Sequence, residues 1–220
     1  MNVLKSPFST IQKLTLLLGI AIAFSVLLLA IRIKLNGSFR FLFLIWNLFL
    51  AGIPFAISYL LSTTQKISKF SFLGWFAVWL LFLPNAPYII TDLIHLKWSA
   101  GVFMWLDILL VTSFAVNGLI LFYLSISDMK SMMHRYLSPR VTSIALILVF
   151  VLTAFGIYLG RFLRFNSWDI LQQPGHLFND ILEIVIQPKV HFEAWLFTLT
   201  FGLFLYIVYQ FFKSTSTINL

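Results

Sequence analysis

Two ionisable residues follow a pair of prolines in the middle of a hydrophobic stretch of this chain. The stretch reads LPNAPYIITDLIHL from Leu83 to Leu96, and it places Asp92 three residues before His95. Residues three apart on a helix share a face, so the carboxylate and the imidazole can project to one point. Such a pair could act as a base with an orienting carboxylate, or could supply two ligands of a metal ion that Asp107 or Asp169 would complete. The simpler expectation is that Asp92 forms an ion pair with an arginine of another helix.

A second stretch, YLGRFLRFNSWDIL from Tyr158 to Leu171, places Arg161 and Arg164 at the same spacing. Residues at this spacing share a helix face, and guanidinium groups suit a phosphate or a carboxylate. We expect the two arginines to hold a lipid headgroup, a polyprenyl phosphate or a partner's acidic residue, or simply to anchor the end of the helix at the membrane interface. Gly156 and Gly160 precede them at the spacing that lets helices approach closely. We expect these glycines to have a packing role.

The composition is that of a membrane protein. Of the 220 residues, 60% are hydrophobic and 10% are charged, whereas soluble domains carry about 25% charged residues. Six apolar runs are each close to the roughly 20 residues that a helix needs to cross a bilayer. They cover residues 14–31, 41–61, 70–96, 102–126, 141–159 and 192–212. The sequence therefore predicts an all-α, polytopic membrane helix bundle of six spans in one integral-membrane domain, residues 1–220.

The third run is interrupted. Phe70 to Leu83 rises only about 21 Å as an α-helix, and a hydrocarbon core is about 30 Å thick. Either the break at Pro84–Pro87 lies inside the membrane, or the span is short and tilted. Asn85 is placed to cap the helix that follows, with Pro87 in its first turn. Farther along the chain, residues 176–187 are too few to span and carry apolar residues at helical spacing, which predicts an interfacial or re-entrant helix.

The charge pattern indicates topology rather than nucleic-acid binding. The formal net charge is +8, but the basic residues are spread over every connector. They are typical of residues that anchor loops and attract anionic lipids. The first apolar run lacks a cleavage site, so a retained helix is expected, with both termini in the cytoplasm of a multi-pass cell-membrane protein. The absence of cysteine excludes disulfides and thiolate chemistry.

In any six-span arrangement the odd-numbered connectors lie on one side of the membrane. The two stretches therefore share a side, and Asp107 joins them because it begins the fourth span at that side. Ionisable groups in a span are costly and usually face the bundle interior or water. The candidate binding residues are Asn85, Asp92, His95, Asp107, Arg161, Arg164, Asn166 and Asp169, with His95 and Asp92 as the candidates for catalysis.

LPNAPYIITDLIHL and YLGRFLRFNSWDIL together resemble a family of bacterial integral-membrane proteins, the domain of unknown function 1361. The resemblance covers nearly the whole chain. It implies an inner-membrane protein of six or seven spans with no assigned activity, and it carries over no catalytic residue and no cofactor.

Three functions are compatible with these residues. The first is binding of an anionic group, a lipid headgroup or a protein partner, near the extracytoplasmic face. The second is an enzyme acting on a phosphorylated lipid or a lipid-linked sugar, in which Arg161 and Arg164 hold the phosphate and His95 is the base. The third, a small transporter, is disfavoured because the polar residues gather near one face. We expect the first.

Overall fold

The computed structural model describes the backbone of residues 7–98 and 102–218. Its helices are α1 (Pro7–Asn36), α2 (Phe43–Thr63), α3 (Lys69–Phe82), α4 (Asn85–Tyr88), a 3₁₀ helix (Ile89–Trp98), α5 (Met104–Met133), α6 (Pro139–Arg161), α7 (Asp169–Gln172), α8 (Pro174–Ile186) and α9 (Phe192–Ile218). The predicted all-α bundle is confirmed, and six helical stretches of the described chain are long and apolar enough to cross a membrane. We name the end that carries residues 37–42 and 162–191 the motif end; the opposite end carries the start of α1 and the end of α9.

Helix α5 forms the centre of the bundle. Over half of its most apolar window, 56%, is buried, whereas α1 buries only 17% of its own. Phe114 and Phe122 of α5 are completely buried. Helix α5 packs against α1, α2 and the 3₁₀ helix, and α6 packs against α9. Helix α1 is therefore a peripheral span, and α5 positions the elements that meet at the motif end.

The third span changes its helical geometry where the prolines occur. Proline has no N–H, so Pro84 and Pro87 cannot make the bonds that would continue the α-helix. The backbone of Leu83 and Pro84 nevertheless stays in the right-handed helical region. The Leu83 carbonyl accepts instead from the N–H of Ala86, three residues on, at 3.2 Å. The predicted interruption is present, as a tightened helix rather than an unwound segment.

The 3₁₀ helix that follows is 10 residues long, beyond the usual three or four. A 3₁₀ helix rises about 2 Å per residue, so this segment adds roughly 20 Å to the roughly 21 Å of α3. The third span is thus long enough for a bilayer of about 30 Å. Since residues three apart are aligned in a 3₁₀ helix, Asp92 and His95 project from the same side of it.

Three glycines allow the α4 segment to pack closely against its neighbours. A Cβ on Gly156 would lie 2.5 Å from Cγ of Pro84, and one on Gly160 would lie 3.2 Å from Cε2 of Tyr88. The expected packing role of the α6 glycines is confirmed. On the opposite side, a Cβ on Gly118 of α5 would collide with the carbonyl oxygen of Ala86.

The predicted short helix near residues 176–187 is present as α8. It is amphipathic: the apolar Ile184 is buried, whereas the side chain of Glu183 is 57% exposed. Trp195 of α9 donates its indole N–H to the Ile184 carbonyl at 3.1 Å. The helix is therefore fixed to α9 near Ile184, and its apolar side chains Phe178 and Val185 are exposed.

Replacing Gly118 by Ala should destabilise the protein by about 1–3 kcal/mol, because the added methyl meets a backbone carbonyl that cannot rotate away. The control is Gly74→Ala in α3, where a Cβ would meet nothing within 4 Å and alanine improves helix propensity. The measurement is thermal unfolding of the two purified variants in the same detergent. Equal midpoints for the two variants would refute the close approach of α5 and α4.

Candidate functional site

The two sequence stretches meet through an ion pair that is almost completely buried. The Asp92 side chain is 1% exposed and that of Arg161 is 12% exposed. Nη2 of Arg161 donates to Oδ1 of Asp92, and Nδ2 of Asn47 donates to Oδ2 at 2.8 Å. Both carboxylate oxygens thus have partners, as a buried charge requires. The expected pairing of Asp92 with an arginine is present, and Arg161 is the partner.

Every nitrogen of the Arg161 guanidinium is used inside the protein. Nε donates to Oγ1 of Thr91 at 2.8 Å, and Nη1 lies 3.2 Å from Nε2 of His95. The guanidinium carbon lies 4.2 Å from the centre of the Tyr88 ring, within range of a cation–π interaction. Arg161 therefore joins α6 to the third span instead of presenting a free fork to an external anion.

The contact with Arg161 determines the state of His95. A guanidinium only donates, so Nε2 of His95 must accept, and in the neutral ring the proton then resides on Nδ1. Nε2 also lies 3.8 Å from Oδ1 of Asp92, and the side chain is 37% exposed. The ring packs edge-on against Phe43 at 5.1 Å between centroids. The imidazole lone pair is occupied, which is unfavourable for general-base chemistry.

Asp107 does not join this cluster, contrary to the prediction. It forms a two-pronged ion pair with Arg32 of α1, in which Nη2 of Arg32 lies 2.9 Å from Oδ2 of Asp107. The Asp107 side chain is 1% exposed, so the arginine compensates a buried charge. Within residues 7–98 and 102–218 there is no group of three or more His, Asp or Glu side chains placed to hold a metal ion. The suggested metal set that would combine Asp92 and His95 with Asp107 or Asp169 is not assembled.

Arg164 does not share a face with Arg161, which is a second correction. Helix α6 ends at Arg161, and Arg164 lies beyond the cap with a positive φ of 64°. This region is uncommon for residues other than glycine, and it turns the chain back over the end of α6. Arg164 is exposed and forms no hydrogen bond or ion pair with any described residue. Of these two arginines, Arg164 is the one whose guanidinium remains available for an external group.

Asn85 donates a hydrogen bond to a carbonyl beside the helical interruption instead of acting as the predicted N-cap. The cap position of α4 is Pro84, with no side-chain hydrogen bond. Nδ2 of Asn85 donates to the Phe82 carbonyl at 2.9 Å and lies 3.0 Å from Oγ of Ser167. Ser167 in turn donates to the Leu81 carbonyl at 3.1 Å. The side chains of both stretches thus bind carbonyls near the break.

Asn166 and Asp169 form a local turn. Oδ2 of Asp169 accepts from the backbone N–H of Asn166 at 2.6 Å and from its Nδ2 at 3.4 Å. Asp169 is buried at the first turn of α7, where a carboxylate is favoured. Both residues therefore lie at the motif end as predicted, and Asp169 orders the loop that carries Ser167.

A cavity of about 180 Å³ lies between the two stretches. Its polar lining consists of Asn47, Asn85, Tyr88, Asn166 and Ser167, and its apolar lining consists of Trp46, Leu50, Leu81, Pro84, Gly156, Leu159, Gly160, Phe165 and Leu177. Its walls come from α2, the interrupted span, α6, the loop after α6, and α8. Two of the predicted residues, Asn85 and Asn166, contribute to it directly.

The cavity adjoins an apolar surface through one residue. Trp46 lines the cavity and also a shallow depression on α2 formed by Leu42, Phe43, Ile45 and Phe49. Ile45 and Phe49 continue into an apolar groove between α1 and α2, with Phe114 of α5 also in its lining. The polar cavity and the apolar depression on α2 therefore adjoin each other at Trp46.

The profile of the family described as protein of unknown function (DUF1361) matches residues 46–208. This chain belongs to that family. Both stretches lie inside the matched range, and α1 with Arg32 lies before it. No curated protein and no solved structure matches the chain.

Asn47, Tyr88 and Ser167 help to build the site but were missing from the sequence-based set. Arg32, which pairs with Asp107 outside the cluster, was missing as well. Asn47 is an isolated polar residue inside an apolar run, a signal that it requires a partner, and Arg32 directly follows the first apolar run. Tyr88 and Ser167 lie inside the two stretches, but their roles depend on contacts that sequence spacing does not specify.

Replacing Arg161 by Ala should cost about 3–5 kcal/mol of stability, because it leaves the Asp92 charge buried without its partner. Arg164→Ala is the matched control: it removes the same side chain three residues away from an exposed position and should change stability by less than about 0.5 kcal/mol. Thermal unfolding in detergent measures both. Similar losses for the two variants would contradict the assignment of Arg161 as the internal partner.

Proposed function

We propose that this member of the DUF1361 family binds the headgroup of a membrane lipid at the motif end, with the phosphate of the lipid held at the rim by Arg164. One observation carries the proposal: Trp46 separates a polar cavity from an apolar surface that leads into the α1–α2 groove. A molecule with a polar head and a hydrocarbon chain matches this arrangement. Tryptophan at such a boundary is typical of the membrane interface.

The position of Arg164 supports the anionic part of the proposal. It directly precedes Phe165, which lines the cavity, and its exposed guanidinium can donate two hydrogen bonds to a phosphate in two-pronged geometry. Arg161 cannot take this role without leaving Asp92. The motif end would face the outer leaflet, with both termini in the cytoplasm.

Binding is better supported than catalysis or transport. A base at His95 would have to give up the hydrogen bond from Arg161, and the remaining ring nitrogen carries the proton. For transport, a polar path would have to continue beyond the cavity. The lining residues farthest from the connectors of the motif end, such as Leu50, Leu81 and Gly156, are apolar, which favours a closed pocket.

The test compares dioleoyl phosphatidic acid with dioleoylglycerol, which differ only in the phosphate, as ligands of the delipidated protein. The wild-type protein should bind phosphatidic acid more tightly, and Arg164→Ala should weaken this binding by about fivefold, since one exposed charge-assisted contact contributes about 1 kcal/mol. Native mass spectrometry or lipid-dependent thermal stabilisation reports the affinity.

The control variant is Lys189→Ala, which removes an exposed cation of the same connector that the proposal does not use. Equal losses for Arg164→Ala and Lys189→Ala would indicate nonspecific attraction and refute the rim site. Equal affinity of the wild-type protein for the two lipids would refute binding of the phosphate.

A further inference from the structure

We infer that the cavity between the two stretches accepts a neutral group rich in hydroxyls, such as the sugar of a glycolipid or a lipid-linked sugar. The inference rests on the proposed headgroup function and specifies the part of the headgroup that enters the protein. It follows from which hydrogen-bonding atoms the protein leaves without partners.

Each of the three carboxamides of the lining donates at least one N–H to an acceptor of the protein, and Asn85 donates both. Nδ2 of Asn47 donates to the Asp92 carboxylate, Nδ2 of Asn85 to the Phe82 carbonyl, and Nδ2 of Asn166 to the Asp169 carboxylate. Each of these partners can only accept, so the orientation of each carboxamide is determined by chemistry. Their Oδ1 atoms make no hydrogen bond with any residue in the described ranges.

The remaining oxygens are accessible acceptors. Oδ1 of Asn47 and Oδ1 of Asn85 retain solvent-accessible surface, in contrast to the fully enclosed and unpartnered Oδ1 of Asn117. The hydroxyl of Tyr88 also lacks a partner among the residues that the structure describes, and it can both donate and accept. The Ser167 hydroxyl is engaged on both sides, by the Leu81 carbonyl and by Asn85. The cavity thus offers mostly acceptors, which require a ligand that donates.

Charge considerations exclude the two ionic alternatives from the interior of the cavity. A phosphate would face three carboxamide oxygens and no cation in the lining, so it belongs at the rim. An ammonium would find no carboxylate in the lining, because Asp92 is neutralised by Arg161 behind it, and a buried charge without a partner is costly. A neutral hydroxylated group donates to the oxygens at no such cost.

Shape and position agree with this ligand. The volume of about 180 Å³ is below that of a drug-sized pocket, which is roughly 300–1,000 Å³, and suits one small ring. Trp46 and Tyr88 supply flat apolar surface for the C–H face of a sugar. Trp46 is 54% exposed and borders the apolar surface of α2. Hydrocarbon chains can lie on that surface, so the sugar would enter the cavity as the headgroup of a lipid.

The decisive variant is Tyr88→Phe. It removes only the unpartnered hydroxyl and keeps the ring that packs on Gly160 and lies under Arg161, so the fold is retained. Asn166→Leu, at an exposed position whose backbone N–H still reaches Asp169, removes one acceptor. Tyr59→Phe is the control, because Tyr59 is exposed on α2 outside the cavity lining.

Binding of dioleoylglycerol with one glucose is compared with that of dioleoylglycerol in a polyoxyethylene detergent, since detergents with sugar heads would compete. The glycolipid should bind more tightly to the wild-type protein. Tyr88→Phe and Asn166→Leu should each weaken it by about fivefold, the effect of one neutral hydrogen bond, and Tyr59→Phe should not. Methyl glucoside, which lacks the lipid chains, should bind far more weakly than the glycolipid. Equal affinities for the two would refute the inference that the sugar is attached to a lipid.

Two further lipids separate this inference from the proposed function. Phosphatidic acid binding that depends on Arg164, without any preference for the glycolipid, would overturn the inference and leave the rim site intact. Phosphatidylethanolamine binding that falls on Tyr88→Phe, with the glycolipid unaffected, would also overturn it in favour of an ammonium. Absence of both the phosphate and the glucose preference would overturn both proposals.

Discussion

The buried pair of Asp92 and Arg161 is the interaction on which the motif end depends. Removing a carboxylate from water is costly, and only a partner with good geometry compensates for it. Arg161 provides that partner and also contacts Thr91, His95 and Tyr88. One side chain therefore sets the position of the 3₁₀ helix relative to the end of α6. The same commitment removes Arg161 from external binding, whereas Arg164 stays exposed.

The proline interruption and the loop after α6 are two parts of one structure. Pro84 and Pro87 end the α-helical hydrogen bonding, and Asn85 and Ser167 bind the carbonyls of Phe82 and Leu81 beside the break. Irregular backbone at membrane depth is tolerated where such partners exist. The polar side chains needed for this repair also line the cavity. A structural requirement of the interrupted span thereby places hydrogen-bonding groups in the cavity where we propose that a lipid headgroup binds.

Much of the architecture follows from periodicity and composition. The six spans, the interruption after Leu83, the amphipathic α8 and the close approach at Gly156 were all predictable, because each depends on local hydrophobicity or on the properties of proline and glycine. For the site, only the types of interacting residues were predictable, and their identities were not. An arginine partner for Asp92 was expected, but the choice of Arg161 over Arg164 depends on where α6 ends. Asp107 was expected near Asp92, yet it pairs with Arg32 because α1 packs against α5.

By itself, the sequence determined the class of this protein and the two stretches that carry its polar chemistry. A long run of apolar residues forms a membrane-spanning helix, and a charged residue within such a run is costly and therefore usually paired or functional. Only the tertiary structure decided which charges neutralise one another and which atoms remain free. Hydrogen bonds between helices depend on the rotation and depth of each span, and spacing along one helix does not specify these quantities. The unpartnered oxygens of Asn47, Asn85 and Asn166 are a property of the assembled bundle.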